Sequence, residues 1–359
     1  MSTPVALDTQ WSMALRNQVS RDLNDTANTR HAFIALLLAM DNFYGVKGTR
    51  FNVAEDTHGP YIQIDFRTGL PVVSGVSAQT GSLSSLQASA QSNFSMVGGT
   101  MQYSGYQVIE DIRKNFINRL KQDPKSAVPL IKKVAKAIVD GVIKKIDDDA
   151  FPAAAVTTSD AQTESKIMPV SYALLSGYAN NAATGSGTYT YCGLDLNSAS
   201  YTSIKALSPG NTTTPFGNPT PTNLRTKLLM PARNRGAKLD VGLCDSSTYD
   251  YMMGQGETKV VIEQQDNLDY GGTLIRYCGL NWVPIERWDQ AAFTNAGNSR
   301  PLAVLDSSTW LFRHKDMLSA PSMNEPDRSP SLVTYQDYFE ALLACENPRY
   351  NGLGWGVQV

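Results

Sequence analysis

The sequence predicts an α+β fold, with strands and helices in separate stretches of the chain. Three observations carry that expectation. Runs with a two-residue apolar period occur, led by YIQIDFR at Tyr61–Arg67. A long segment between residues 123 and 152 places its apolar side chains at helical spacing. Between them, 42 consecutive residues from Thr68 to Ile109 carry no charged side chain.

The composition bounds what the chain does. At 359 residues and 42% hydrophobic it has enough apolar material for a real core. Lys plus Arg (31) nearly balances Asp plus Glu (33), so a net charge of −2 leaves no electrostatic footprint for nucleic acid or an anionic membrane. Enclosing a polymer needs no such footprint. Cys192, Cys244, Cys278 and Cys345 are too far apart for a zinc knuckle or redox dithiol, and are expected as small hydrophobes in a reducing compartment. The N-terminus MSTPVALDTQWSMALRNQ lacks a basic head followed by an apolar core. The longest apolar run, FIALLLAM, is too short to span a bilayer. A soluble, cytoplasmically made protein without cofactor or metal is the expectation.

Residues 1–58 start polar and contain one helix candidate, TRHAFIALLLAMDNF, closed by YGVKG. His31 near its start has no partner at helical spacing and reads as a surface or capping residue. Next come the strand YIQIDFR and a second extended candidate, NFSMVGGTMQYSGYQV. At the chain's average of 18% charged, the neutral stretch would carry about seven or eight charges. A disordered linker is one reading of it. Against that stand Ile62, Ile64, Phe66, Val72, Val73, Phe94, Met96 and Met101, which are too apolar for water. A two-stranded arm is marginal alone. Ordering it costs on the order of 50 kcal/mol of backbone entropy, so something else must cover it. A neighbouring copy of the chain is the simplest cover.

DPKSAVPLIKKVAKAIVDGVIKKIDDDAFP then predicts a long helix, with Asp123 as cap and Pro124 in its first turn. Ile131, Ala135, Ile138, Val142 and Ile146 form its packing stripe, and Lys132, Lys133, Lys136, Asp140 and Lys144 lie mostly off it. The adjacent DDD makes those lysines a solvated face rather than a nucleic-acid surface. Residues 157–222, rich in Ser, Thr, Asn, Gly and Ala, predict short strands and long loops. After them come a helix in NLRTKLLMPARNRG, a buried strand in KLDVGLC and a short helix in SSTYDYMMG. Strands with a glycine kink in TLIRYCGLNWVPIERW, a strand and turn in PLAVLDSSTWLFRH, and extended structure to the C-terminus complete the chain.

GLCDSSTYDYMMGQG poses the sharpest chemical question, because a thiol, a carboxylate and two hydroxyls follow an apolar run. A nucleophile elbow needs glycines around its nucleophile, but Leu243 and Asp245 flank Cys244. Such a nucleophile also needs a base, and His31, His58 and His314 lie in segments with no sign of orienting them. Asp-Ser-Ser-Thr recurs in LDSSTWLF, so Asp245 and Ser246 read as a helix cap. No Walker loop, dinucleotide fingerprint, paired His–Glu motif or calcium loop is present. The glycines of MVGGTMQYSG read as strand-kink residues. Trp282, Trp288, Trp310 and Trp355 read as core or interface anchors.

The order of a polar arm, a long neutral hairpin, a spine helix, a Ser/Thr/Asn-rich α/β region and returning strands resembles the HK97-like major capsid proteins of tailed bacteriophages, a fold shared with encapsulins. The likeness spans essentially the whole chain. It is most specific in YTSIKALS through TPTNLRTKLLMPARNRGAKLDVGLCDSSTYDYMM, in YCGLNWVPIERWDQ, in PLAVLDSSTWLF and in ENPRYNGLGWGV. The resemblance implies an N-terminal arm (1–58), an extended loop lying on an adjacent subunit (59–105), a peripheral domain (106–155 and 318–359) and an axial domain (156–317). Ile62, Ile64, Phe66, Arg67, Val72, Val73, Phe94, Met96 and Met101 would then be inter-subunit residues. Some relatives weld neighbours through a loop lysine. This loop has none from Gly59 to Gly105, so cohesion is expected to be non-covalent.

The implied function is a structural subunit whose hexamers and pentamers close an icosahedral head around double-stranded DNA, assembled in a host cytoplasm. Its partners would be itself, together with portal, scaffolding and decoration proteins, and no membrane. An encapsulin-like cargo shell, a tail or adhesin protein, and a hydrolase using Cys244 or Ser246 are the competing readings.

Overall fold

In a computed structural model of the chain, the residues described are 52–55, 59, 61–67, 96–113, 137, 141–142, 144–152, 162–174, 190–196, 203–209, 215–255, 261–263, 274–289, 300–315, 322–324 and 332–359. The expected N-terminal helix lies outside them. So do Val72, Val73, Phe94, Ile131, Ala135 and Ile138, along with His31 and His58.

Two sheets organise these residues. The first contains β1 (Asn52–Glu55), β4 (Ser104–Arg113), β12 (Trp310–Lys315), β13 (Ser322–Asn324) and β14 (Leu332–Cys345). At about 3.3 Å per residue, the 14-residue β14 is roughly 46 Å long. It pairs antiparallel with β4, from Leu332 opposite Arg113 to Ala341 opposite Ser104. Its C-terminal end pairs antiparallel with β12, and Thr334–Gln336 pair with β13. β1 adds parallel to β12.

The second sheet runs in the order β15 (Gly352–Trp355), β11 (Pro301–Leu305), β7 (Val241–Cys244), β10 (Leu280–Pro284), β9 (Leu274–Tyr277), β8 (Val261–Glu263). Only β7 and β10 are parallel. Every residue of β7, β11 and β15 is buried, which is why these strands read as apolar runs rather than alternations.

Both sheets draw strands from segments the resemblance assigned elsewhere. β12, expected in the axial domain, joins β14, and β15, expected in the peripheral domain, joins β11. Strand pairing over four to six residues outweighs chain order here. The glycine kink expected in TLIRYCGLNW is instead a hairpin turn. Cys278 and Gly279 both take positive φ (55° and 85°), the two-residue geometry that matches strand twist. A second hairpin, β5 (Thr190–Tyr191) and β6 (Leu194–Asp195), turns the same way on Cys192 and Gly193.

Helices cover the sheets where the sequence stripes require. In α1 (described at 144–150), Ile146 is buried while Lys144 and Lys145 are exposed, and Val142 just before it is buried too. α2 (Val170–Leu174) is wholly buried. α3 spans 221–234 and contains a π-turn at Arg225–Leu229, where the Met230 amide donates to the Arg225 carbonyl. The wider turn precedes Pro231, whose ring would crowd a carbonyl in a regular helix. Leu224, Leu228, Leu229 and Ala232 of α3 share a core with Trp282, Leu302 and Met252, the last from α4 (Ser246–Gln255). The opposite face of that sheet, with Leu243, Val283 and Leu305, joins the larger core around Trp288, Trp310 and Phe151. All four tryptophans expected as anchors are buried.

Candidate functional site

β2 (Tyr61–Arg67) and β3 (Met96–Gln102) pair antiparallel, with Tyr61 opposite Gln102 and Arg67 opposite Met96. One face is covered by the chain itself. Ile64, Phe66 and Met101 are buried in the larger core, with Ile62 packed against it. The Phe66 ring lies 5.9 Å from that of Tyr191 in β5. The Thr100 amide donates to the Cys192 carbonyl at 3.1 Å. A Cβ on Gly99 would sit 2.7 Å from that same oxygen, so only glycine permits this approach.

This corrects the expectation for Ile64, Phe66 and Met101, and in part for Ile62. They have little surface left to offer a neighbour, because the chain's own core already covers them. The outward face carries Tyr61 and Met96, exposed at 60% and 52%. The side chain of Arg67 lies outside the described residues.

The start of β4, next in the chain after β3, is tied to the rest of the molecule by buried polar contacts. Tyr106 in β4 donates to Asp149 Oδ2 at 2.8 Å and accepts the Ile167 amide at 2.9 Å. Lys145 donates to Asp149 Oδ1 at 2.8 Å. Burial, with the Asp149 charge second, holds the Tyr106 phenol far above its ordinary range, so it stays a donor. Arg287, in the turn after β10, donates from Nε to the Phe151 carbonyl at 2.8 Å and pairs with Asp148. Trp288 beside it meets Phe151 edge-on at 5.6 Å. These contacts fix the end of α1 to both sheets. Sequence reasoning missed Tyr106, Tyr191 and Arg287, since their partners are remote in sequence. The repeated Tyr-Cys-Gly-Leu quartet was the available signal for the two hairpins.

The two Asp-Ser-Ser-Thr turns follow adjacent antiparallel strands, β7 and β11, and so sit at opposite ends of the pair. Asp245, just before α4, accepts the Thr248 hydroxyl, and Arg300 donates to its other oxygen at 3.0 Å. Ser246 gives its amide (2.7 Å) and hydroxyl (2.5 Å) to Asp289. Ser307 gives the same two groups to Asp240. The serines therefore start their turns by donating to a distant carboxylate rather than by accepting a first-turn amide.

This environment does not suit a nucleophile. Cys244 is fully buried, and burial first, then Asp245, Asp289 and Asp250, push its thiol well up, where the thiolate is scarce. The Ser246 hydroxyl is committed to Asp289. His314 belongs to β12 in the other sheet. Among the described residues no group of three or more His, Cys, Asp or Glu is placed to hold a metal, and no helix is long and apolar enough to cross a membrane.

No protein-family model matches the sequence, and no curated protein matches it. The structure does have counterparts. It superposes on a chain of the cyanophage A-1(L) capsid asymmetric unit with a TM-score of 0.59, covering 88% of this chain and 95% of that one at 15% identity. The fold is the HK97-like capsid fold. Two other capsid-fold chains align at a TM-score of 0.47 and 11% identity. One is from the holo-SrpI encapsulin complex of Synechococcus elongatus PCC 7942, covering 87% of this chain and 86% of that one. The other is from the capsid of an empty GTA particle, covering 86% and 88%.

Proposed function

We propose that this chain is a major capsid protein. It assembles as hexamers and pentamers into a closed icosahedral phage head around packaged double-stranded DNA. The observation that carries this reading is the fold likeness over 95% of the cyanophage capsid chain. It leaves little of a capsid subunit unaccounted for. The loop of residues 59–105 extends beyond its self-covered root onto an adjacent copy, presenting Met96 and the apolar Val72, Val73 and Phe94. The spine helix stripe from Ile131 to Ile146 packs inward. The peripheral domain is built from 106–155 and 318–359 with β12 added, and the axial domain from the rest of 156–317 with β15 added. Cohesion is non-covalent, the product is a virion component assembled in a host cytoplasm, and portal, scaffolding and decoration proteins are its partners besides itself.

Obligate contacts between such copies bury about 2,000–5,000 Å² each. At roughly 25 cal/mol per Å² the gross driving force is large, and ordering the loop offsets part of it. The test is electron microscopy of the full chain expressed with its genomic neighbours. Closed, DNA-filled shells with five- and six-fold capsomers are the expected result. Shells filled with enzyme would point to a cargo compartment, rods or trimers to a tail protein, and a protease-resistant monomer at high concentration would overturn self-assembly.

A further inference from the structure

Charge is segregated in the region of the second sheet. Residues 221–238 hold Arg225, Lys227, Arg233, Arg235 and Lys238 with no acid, whereas 240–269 hold seven acids and one base, Lys259. With a net charge of −2 overall, the chain outside 221–238 carries −2 − 5 = −7. Lys227 is used internally, donating to the Phe216 carbonyl at 2.5 Å. The other four basic residues of this stretch are exposed. Among the described residues, Arg225 and Arg233 have no hydrogen bond or ion pair, and both guanidinium charges act on the Cys278 thiol at the β9–β10 turn. Arg235 donates to the Lys205 carbonyl at 2.9 Å and stands beside Arg349, which lies 5.0 Å from the centre of the Tyr350 ring. Burial first, and the Arg349 charge second, lower the pKa of Arg235. Between Arg225 and Arg233 sits Met230, 55% exposed. Exposed arginines around a methionine are a composition enriched in interfaces between proteins.

The acidic counterpart lies on the neighbouring helix. Asp240, Asp245 and Asp289 are engaged by Ser307, Arg300 and Ser246. Asp250, on α4, is exposed. Among the described residues no ion pair joins it to the arginines of its own copy.

We propose that the α3 face of Arg225, Met230 and Arg233, continued by Arg235 and Arg349, receives Asp250, on α4, of a second copy. The inference rests on the self-assembly reading above. Seating the α3 face of one copy against α4 of the next makes the contact head-to-tail, the arrangement that closes rings when the rotation allows. Exposed pairs contribute little energy singly, but complementary surfaces set register and speed encounter.

The test uses full-length chains with reversed charge, R233E/R235E and D250K, each checked for an unchanged melting temperature. Either variant alone places like charges across the contact and is expected to give at least tenfold fewer particles by sedimentation. Mixed in equal amounts, the two restore an opposite pair at every contact of an alternating six-membered ring, so the yield of six-membered rings is expected to recover to within about threefold of wild type, while five-membered rings, which cannot alternate, recover less. Wild-type assembly is also expected to weaken as salt rises from about 0.05 to 0.5 M. A loss confined to R233E/R235E, with no rescue on mixing, would mean the basic face meets nucleic-acid phosphate and overturns the proposal. Unimpaired assembly of both variants overturns it while leaving the shell reading intact. A wild-type chain that stays monomeric sinks both.

Discussion

The Tyr191 hydroxyl donates to the Cys345 carbonyl at 2.7 Å and accepts the Cys345 amide hydrogen at 2.8 Å, bridging 154 residues of sequence. One oxygen thus satisfies both main-chain groups at the buried end of β14 and pins the β5–β6 hairpin there. Tyr191→Phe keeps the ring against Phe66 but strands two buried polar groups. A loss of about 2 kcal/mol is expected, read as a lower urea midpoint at unchanged slope. An unchanged midpoint would show that the hydroxyl is dispensable.

The Gly99–Cys192 approach sets how closely β3 packs against the β5–β6 turn. Gly99→Val has no room, since its Cβ would meet the main chain of the turn rather than a movable side chain. Overpacking of this kind costs about 1–3 kcal/mol. Limited proteolysis is expected to cut between β2 and β3 several-fold faster in the variant, with the two sheets still protected.

Arg287 joins the second sheet to the end of α1 with a fork that lysine cannot reproduce. Arg287→Lys is expected to lose most of what Arg287→Ala loses, about 1 kcal/mol, because the Phe151 carbonyl loses its donor. A double-mutant cycle with Asp148→Asn should return a coupling of a few tenths to about 1 kcal/mol for the half-exposed ion pair. Zero coupling would assign the whole effect to the Phe151 carbonyl.

Alkaline pH is expected to unfold the subunit earlier than its surface charge suggests. Burial raises the Cys192 thiol from 9.0 to about 12, and burial likewise raises the Tyr249 and Tyr277 phenols from 10.0 to about 12. The folded state therefore holds protons that the unfolded chain has released. The stability is full below about pH 9 and falls as pH climbs toward 12. Denaturation midpoints measured at steps from pH 7 to 11 should be flat and then decline. Cys192→Ala should make the decline shallower. A decline equally steep in that variant would exclude Cys192 as a source.

What the sequence made legible was local. The alternation of YIQIDFR marks β2 residue for residue, and the continuous apolar runs of VGLC and PLAVL mark β7 and β11. The stripe through Val142 and Ile146 marks the buried side of α1. The apolar residues of β2 and β3 say that cover is required but not which molecule provides it. For Ile64 and Phe66 the cover is the chain's own core. The two Cys-Gly turns were hidden because cysteine is not a turn-forming residue by type. The exchange of β12 and β15 between sheets, and the Arg287 and Tyr191 ties, depend on the assembled core rather than on any neighbour in sequence.

The length of β14 has a mechanical consequence. Its ladder with β4 spans ten residue pairs, and the hydrogen bonds of an antiparallel ladder lie across the strand axis. Tension applied along β14 therefore loads those bonds in shear, and they must yield together. Tension applied across it would peel them one at a time.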